Sequence, residues 1–341
     1  MNSFHNTTTI KTLAEKLGLS KGTVSKALKD SHEISSATKN KVLQAAHELN
    51  YIPNHFASGL KSRKSKTIAV IVPEIVDSFF SLAINGIEAI TQKKGYHINV
   101  YITHDLVAKE KEIIKVLCDG RVDGVLISIC REATDNAHIQ ELMDHGIPLV
   151  FFDRVADDIE TGKVVTDDLD AGYTAAKHLI EQGCKKICFL SVSESLSILQ
   201  KRMAGFTQAL REYGINDPEK NVCQISTEEI KSLEAIKSLL SNPDERPDGI
   251  VVSVEMLTIP LYNACKLLSI SIPDELKVVC FSNLLYASLL SPSLSTITQP
   301  AFEIGQQAAD LICNSIEKDN FVINEKIICP SRLDIRSSSL V

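Results

Sequence analysis

At 341 residues the chain exceeds one typical domain and has length for two or three. Its 44% hydrophobic and 23% charged residues are ordinary globular values, and no run of about eighteen apolar residues marks a membrane span. The formal charge of −7 is unevenly spread: residues 1–66 hold eleven Lys/Arg and four Asp/Glu, a net of +7, and the rest hold 25 and 39, a net of −14. A small basic segment ahead of a large acidic one predicts a polyanionic partner for the first part only. The opening "MNSFHNTTTIK" lacks the apolar stretch of a signal peptide, which predicts a cytoplasmic protein. The nine cysteines show no C-x-x-C pair and no Cys/His cluster at zinc spacing, so reduced core thiols are expected, with no metal and no cofactor.

In "TIKTLAEKL", Ile10, Leu13, Ala14 and Leu17 recur on one helical face, with Thr9 placed to cap the helix and Gly18 to end it. Ser20 can cap a second helix through Leu28, on which Val24, Ala27 and Leu28 share one arc while Lys21, Gly22, Ser25 and Lys26 occupy the other. A third helix follows "EISS", with Val42, Ala46 and Leu49 on its apolar side. Two short helices across a glycine-containing turn, with a third beneath, predict a helix-turn-helix. A plain three-helix bundle with a solvated lysine face is the alternative. Spacing, turn and the +7 segment together favour DNA binding. Lys21 and Lys26 can reach base edges or phosphates, and Ser20, Thr23 and Ser25 carry short hydroxyls suited to phosphate oxygens. Thr9, Lys29, Ser35 and Thr38 complete the headpiece candidates.

"TIKTLAEKLGLSKGTVSKAL" followed by "YIPNHFASGLKSRKSKTIAVIVP" resembles the lactose/galactose repressor (LacI/GalR) family of bacterial transcription regulators, and the similarity runs along nearly the whole chain. "PNHFASGL" is too short for an independently stable helix. The resemblance implies a hinge that folds on operator DNA and inserts Leu60 into the minor groove, with Asn54 and Ala57 also at matching positions. It further implies a homodimer on a pseudo-palindromic operator and a small-molecule effector bound in a core of periplasmic-binding-protein type. The expected organisation is a headpiece at 1–52, a hinge and linker at 53–66, and a core at 67–341. The core divides into lobe one, about 67–165 and 297–322, and lobe two, about 166–296 and 323–341.

The core reading also stands on its own pattern. Apolar runs "TIAVIV", "HINVYI", "GVLISI" and "PLVFF", then "KICFLSV", "GIVVSV" and "KVVCFS", are separated by helix-length stretches. That alternation predicts two doubly wound parallel-sheet lobes with a ligand between them, at the carboxyl ends of the strands. No phosphate loop, dinucleotide fingerprint, H-E-x-x-H or G-x-S-x-G is present, and Asp167-Asp168 reads as a helix start rather than a catalytic pair. A regulator is therefore favoured over a sugar-related enzyme carrying a helix-turn-helix, and over a stand-alone binding protein.

By the resemblance, Asp153 and Arg202 match positions that hold polar ligand groups, and Phe79 and Phe80 match an apolar wall. The chain departs where relatives usually have Asn-Asp, here Val254-Glu255, and where they have Asp, here Ser282. Losing an amide and a charge predicts weak recognition of a neutral hexose and a ligand that is partly apolar, or anionic and held by Arg202.

Overall fold

The computed structural model describes residues 8–51, 65–131, 135–215, 217–318 and 323–340. The chain divides into two compact units, 1–65 and 66–341. Asn54, Ala57 and Leu60 of the expected hinge lie outside the described residues.

The N-terminal unit contains α1 (Ile10–Leu17), α2 (Lys21–Leu28) and α3 (Ser36–Glu48). Each helix starts at a hydroxyl that accepts from a backbone N–H three residues on: Thr9 from Thr12, Ser20 from Thr23, Ser35 from Thr38. In each case the two side-chain hydroxyls also bond one another, at 3.0, 2.9 and 3.0 Å. Such caps stabilise helix starts by roughly 1 kcal/mol each, which matters for helices of 8, 8 and 13 residues that are marginal alone. Gly18 closes α1 at φ +65°, a left-handed backbone, and Leu19 N–H then donates to Ala14 O at 3.0 Å. Leu13, Val24 and Val42, one from each helix, are fully buried at the centre.

The larger unit carries two six-stranded sheets. The first contains β1 (Thr67–Val72), β2 (His97–Ile102), β3 (Gly124–Ile127), β4 (Leu149–Phe152), β5 (Gly162–Thr166) and β11 (Lys326–Cys329), in the order β11-β5-β4-β3-β1-β2 and parallel throughout. Helices α4 (Ser78–Lys93) and α11 (Ala301–Glu317) supply the core on one face, and α5 (Val107–Leu117) and α6 (Ala137–Asp144) on the other. The second sheet contains β6 (Ile187–Ser191), β7 (Val222–Gln224), β8 (Gly249–Val252), β9 (Lys277–Phe281), β10 (Ser295–Thr298) and β12 (Arg332–Asp334), ordered β12-β10-β9-β8-β6-β7. It is parallel except for β12, which runs antiparallel to β10 at the edge. Helices α7 (Asp168–Glu181) and α8 (Ser197–Glu212) cover one face, and α9 (Glu229–Leu240) and α10 (Thr258–Leu268) the other. Covering on both faces explains the unbroken apolar strands, such as the fully buried β8 and β9 interior from Ile250 to Val252 and Val278 to Cys280.

The lobe boundaries need correcting. Residues 295–298 were expected to straddle the boundary at 297, yet all of β10 pairs within the second sheet, so the chain crosses at Gln299. Residues 323–341 were assigned to lobe two, yet β11 pairs with β5 in the first sheet, and the return crossing lies at Pro330. Backbone pairing decided both cases: β10 is held on both sides, by β9 and β12, inside the second sheet, and β11 takes the open edge of the first beside β5. The first and third crossings are tied together, since Ser331 N–H donates to Asp167 Oδ1 at 2.7 Å.

Helices α7 and α8 touch backbone to backbone. A Cβ on Gly172 would lie 2.0 Å from Arg202 O, and one on Gly205 would lie 1.9 Å from Leu169 O. Only glycine permits that approach, and it brings the N-terminal turn of α7 beside the first turns of α8.

Candidate functional site

On α2 of the N-terminal unit, Val24 and Ala27 face the core while Lys21, Gly22 and Lys26 are exposed and Ser25 is half-buried. Lys29, at the end of that helix, is exposed too. Lys26 pairs with Glu33, and Lys39 lies 2.7 Å from Asp30. Lys21 and Lys29 have no carboxylate within ion-pair distance among the described residues. The strongest uncompensated positive charge on this face therefore sits at the two ends of α2. Thr9, Ser20 and Ser35, expected as contacts, are helix caps first, and Thr23 and Thr38 share their hydroxyls with those caps. The repeated hydroxyl-x-x-Thr spacing, at 9/12, 20/23 and 35/38, was the signal for this and is readable in the sequence. An exposed polar arc with a small residue, flanked by free lysines, can approach a phosphate backbone closely and place side chains at base edges.

In the larger unit, all six residues singled out from the resemblance (Phe79, Phe80, Asp153, Arg202, Val254 and Ser282) line one cavity between the lobes. Asp77, Arg154, Ile198, Glu255, Phe281, Asn283 and Gln299 complete its wall. Most wall residues stand at or just beyond strand carboxyl ends, where doubly wound sheets present ligands. Phe79 and Phe80, in the first turn of α4, meet edge to face at 5.3 Å and form the apolar wall.

Asp153 follows β4 with φ +61°, an uncommon backbone for a residue bearing a Cβ. It accepts from Ser128 Oγ at 3.3 Å, and Arg154 Nε lies 3.9 Å away. Burial pushes its pKa up to about 6, against the pull of Arg154 and Arg202. Arg154 is chiefly engaged by Asp105, whose Oδ1 lies 3.0 Å from Nη1, and Arg131 reaches the same carboxylate at 2.6 Å. Burial opposes ionisation of Asp105, but the two arginines outweigh it and hold its pKa below the usual value.

Arg202, on α8, is not free to hold an anion with its whole guanidinium. Its Nε donates to Asp168 Oδ1 and its Nη1 to Ser253 O, both at 2.8 Å, and the group lies over the Phe281 ring at 4.3 Å. Both members of the Arg202–Asp168 pair are buried, with side chains 3% and 2% exposed. Asp168 is thus half of a buried ion pair, and Asp167 is a tie to Ser331.

The expectation that Val254 and Ser282 strip the pocket of a charge and an amide is also corrected. Glu255 points its carboxylate at Ser282, whose Oγ donates to Oε2 at 2.6 Å, and Asn283 N–H donates there at 3.1 Å. The amides of Asn283 and Gln299 line the cavity as well. Oε1 of Glu255 crosses to the other lobe, where Ser78 N–H and Ser78 Oγ donate at 3.3 and 2.8 Å. A carboxylate of lobe two therefore sits on the N-terminus of α4 in lobe one, beside the cap residue Asp77. Burial and the nearby Glu255 raise the pKa of Asp77 to about 7. Asp77 and Gln299 were not foreseen; the helix-start pattern "DSFF" marked the first, and nothing local marked the second.

The description "Bacterial regulatory proteins, lacI family" matches residues 9–54, and that of a periplasmic binding protein-like domain matches residues 176–339. The chain is 32% identical over 310 residues to the HTH-type transcriptional repressor CytR of Escherichia coli (strain K12), covering 91% of this chain and 90% of CytR. It is 30% identical over 315 residues to the HTH-type transcriptional repressor PurR of Vibrio atlanticus (strain LGP32), covering 92% and 93%. The fold is shared with the crystal structure of the lac repressor dimer bound to operator and the anti-inducer ONPF, at a TM-score of 0.86 and 21% identity, covering 98% of this chain and 100% of that one. No helix among the described residues is long and apolar enough to cross a membrane. From its relatives and its two matched domains, the chain belongs to the lacI family of bacterial regulatory proteins.

Proposed function

We propose that the chain is a cytoplasmic, sequence-specific DNA-binding repressor without catalytic activity. It acts as a homodimer on a pseudo-palindromic operator, under control of a small molecule bound between the core lobes. The observation that carries this reading is the exposed arc of α2, on which Lys21, Gly22, Ser25 and Lys26 lie opposite the buried Val24 and Ala27. Lys21, Lys26 and Lys29 displace counterions from phosphates, the three caps hold α2 and its neighbours in shape, and Asn54, Ala57 and Leu60 follow in the hinge. Support for effector control comes from the cavity, whose wall is drawn from both lobes. A ligand touching both lobes favours the lobe arrangement it fits, and it shifts operator affinity only by its differential affinity for the two arrangements. Phe79, Phe80, Val254 and Ser282 shape that site, and Asp153 and Arg202 orient polar groups within it.

The test is operator titration at several salt concentrations after selection of bound sequences. Each phosphate contact contributes a slope of about −0.9 in log K against log salt. Lys21→Ala is expected to flatten that slope by about one unit if Lys21 meets phosphate, or to relax one base position if it meets a base. Binding that ignores both salt and sequence refutes the reading.

A further inference from the structure

Three carboxylates (Asp77, Asp153 and Glu255) and two guanidiniums (Arg154 and Arg202) face the interlobe cavity. The guanidiniums are already engaged from behind the wall, Arg202 by Asp168 at 2.8 Å and Arg154 by Asp105 at 3.0 Å, a carboxylate that Arg131 shares at 2.6 Å. Arg202, Asp168, Arg154 and Asp105 together are neutral, and the three cavity carboxylates outnumber the Arg131 that is left. Asp77 and Glu255, by contrast, have no Lys, Arg or His within ion-pair distance among the described residues. The excess charge at the cavity is negative, and it lies in a place where charge without a partner is costly.

Unused hydrogen-bonding capacity has the same sense. Asp77 spends Oδ1 on capping α4, with Phe79 N–H donating at 2.8 Å, and Oδ2 has no protein donor among the described residues. Asp153 uses Oδ2 for Ser128, which leaves Oδ1. Asn283 donates its Nδ2 to Gln299 O at 2.6 Å, and its buried Oδ1 has no partner. Gln299, 7% exposed, supplies the opposite requirement: its buried Nε2 has no acceptor. A partnerless amide inside a native cavity calls for something to bind it. Three open acceptors match the three N–H donors of an ammonium group, and one open donor matches an oxygen nearby on the same molecule.

We infer that the effector is a small primary amine, protonated when bound, that also carries a hydroxyl or carbonyl oxygen; its ammonium is held by Asp77, Asp153 and Asn283, and its oxygen by Gln299. This rests on the interlobe cavity being the effector site. Burial, with Glu255 adding to it, raises the pKa of Asp77 to about 7, and burial raises that of Asp153 to about 6 against the pull of Arg154 and Arg202, so a cation between the two carboxyls is positioned to favour their ionised forms. An anionic ligand meets that excess directly. A neutral one leaves it standing.

The test compares ring-matched probes on the full-length protein at pH 7: D-glucosamine, D-galactosamine and D-mannosamine, each against its neutral parent hexose and its uronate, by calorimetry and thermal shift. At least one amino compound is expected to bind tenfold or more tightly than its neutral parent, with no binding of the uronate. Asp77→Asn, which keeps a capping oxygen at the start of α4, is expected to shrink that preference at least threefold. Equal or tighter binding of a neutral or anionic member overturns the inference, as does failure of every amine to bind or a preference unchanged in both Asp77→Asn and Asp153→Asn. Operator affinity, measured with each probe, separates the two levels. A neutral sugar that binds and shifts operator affinity refutes the amine and leaves effector control standing. An amine that binds in the cavity without moving operator affinity supports the amine and refutes control through this cavity.

Discussion

Arg202→Met is expected to destabilise the core severely. The substitution keeps an unbranched apolar stem of similar reach against Phe281 but removes the guanidinium. Asp168 then remains buried with no counter-ion, its side chain only 2% exposed, and Ser253 O loses its donor. Breaking a buried ion pair from one side costs roughly 3–5 kcal/mol, because the remaining charge keeps its desolvation penalty. Against a total stability of about 5–15 kcal/mol, that consumes about a fifth of the margin at the least. The chain has no tryptophan, so urea unfolding is best followed by far-UV circular dichroism. The control is Arg202→Met combined with Asp168→Leu. Replacing both charges by apolar groups of similar volume is often close to neutral, so the double variant is expected to be more stable than Arg202→Met alone. A loss under about 1 kcal/mol in Arg202→Met, or a double variant no better than the single, refutes the assignment of this pair as a structural unit.

Ser20→Ala removes the α2 cap and is expected to cost about 1 kcal/mol locally. It should appear as faster amide exchange in residues 21–28 with exchange in the core sheets unchanged. For Asp77, a carboxyl whose folded pKa is raised to about 7 stabilises the fold at low pH and loses that contribution as pH rises from the unfolded value toward 7. Glu255, Glu74 and Asp153 are the acids acting on it, and Asp153 titrates with the same sign. Asp77→Asn should therefore gain stability relative to the parent as pH goes from 5 to 8, and a constant difference across that range contradicts the raised pKa. Glu255→Gln keeps an acceptor for Ser78 but removes the repulsion on Asp77, so the Asp77 pKa should fall, measured by carboxyl NMR; an unmoved value contradicts the pairing. Leu60→Ala should reduce operator affinity and the DNA bend while leaving effector binding intact, and a circular-permutation gel shift with unchanged bend removes the wedge role.

Much of the fold was legible because it is set over short stretches of chain. The caps at Thr9, Ser20 and Ser35, the glycine stop at Gly18 and the apolar strands from "TIAVIV" to "KVVCFS" each depend on neighbours within a few residues. Their periodicities predict elements, and alternating strands and helices predict parallel sheets. The short strands behaved differently. "KIIC" and "RLD" sit three residues apart, yet β11 completes the first sheet and β12 the second, because each fills the ladder left open at a different edge.

The site divides in the same way. Resemblance brought the six named residues to one cavity, but not their chemistry. Arg202 looked like a free ligand-binding cation until the Gly172–Gly205 crossing placed Asp168 against it. Ser282 looked like a lost charge until Glu255, 27 residues earlier, turned its carboxylate onto it and reached Ser78 across the cleft, 177 residues away. Local composition determined which elements form, since hydrogen-bond geometry and apolar spacing act between near neighbours. Charge balance in the cavity was left to the tertiary structure, because in a buried site a group's ionisation and free valences depend on which distant side chains folding brings within about 4 Å of it.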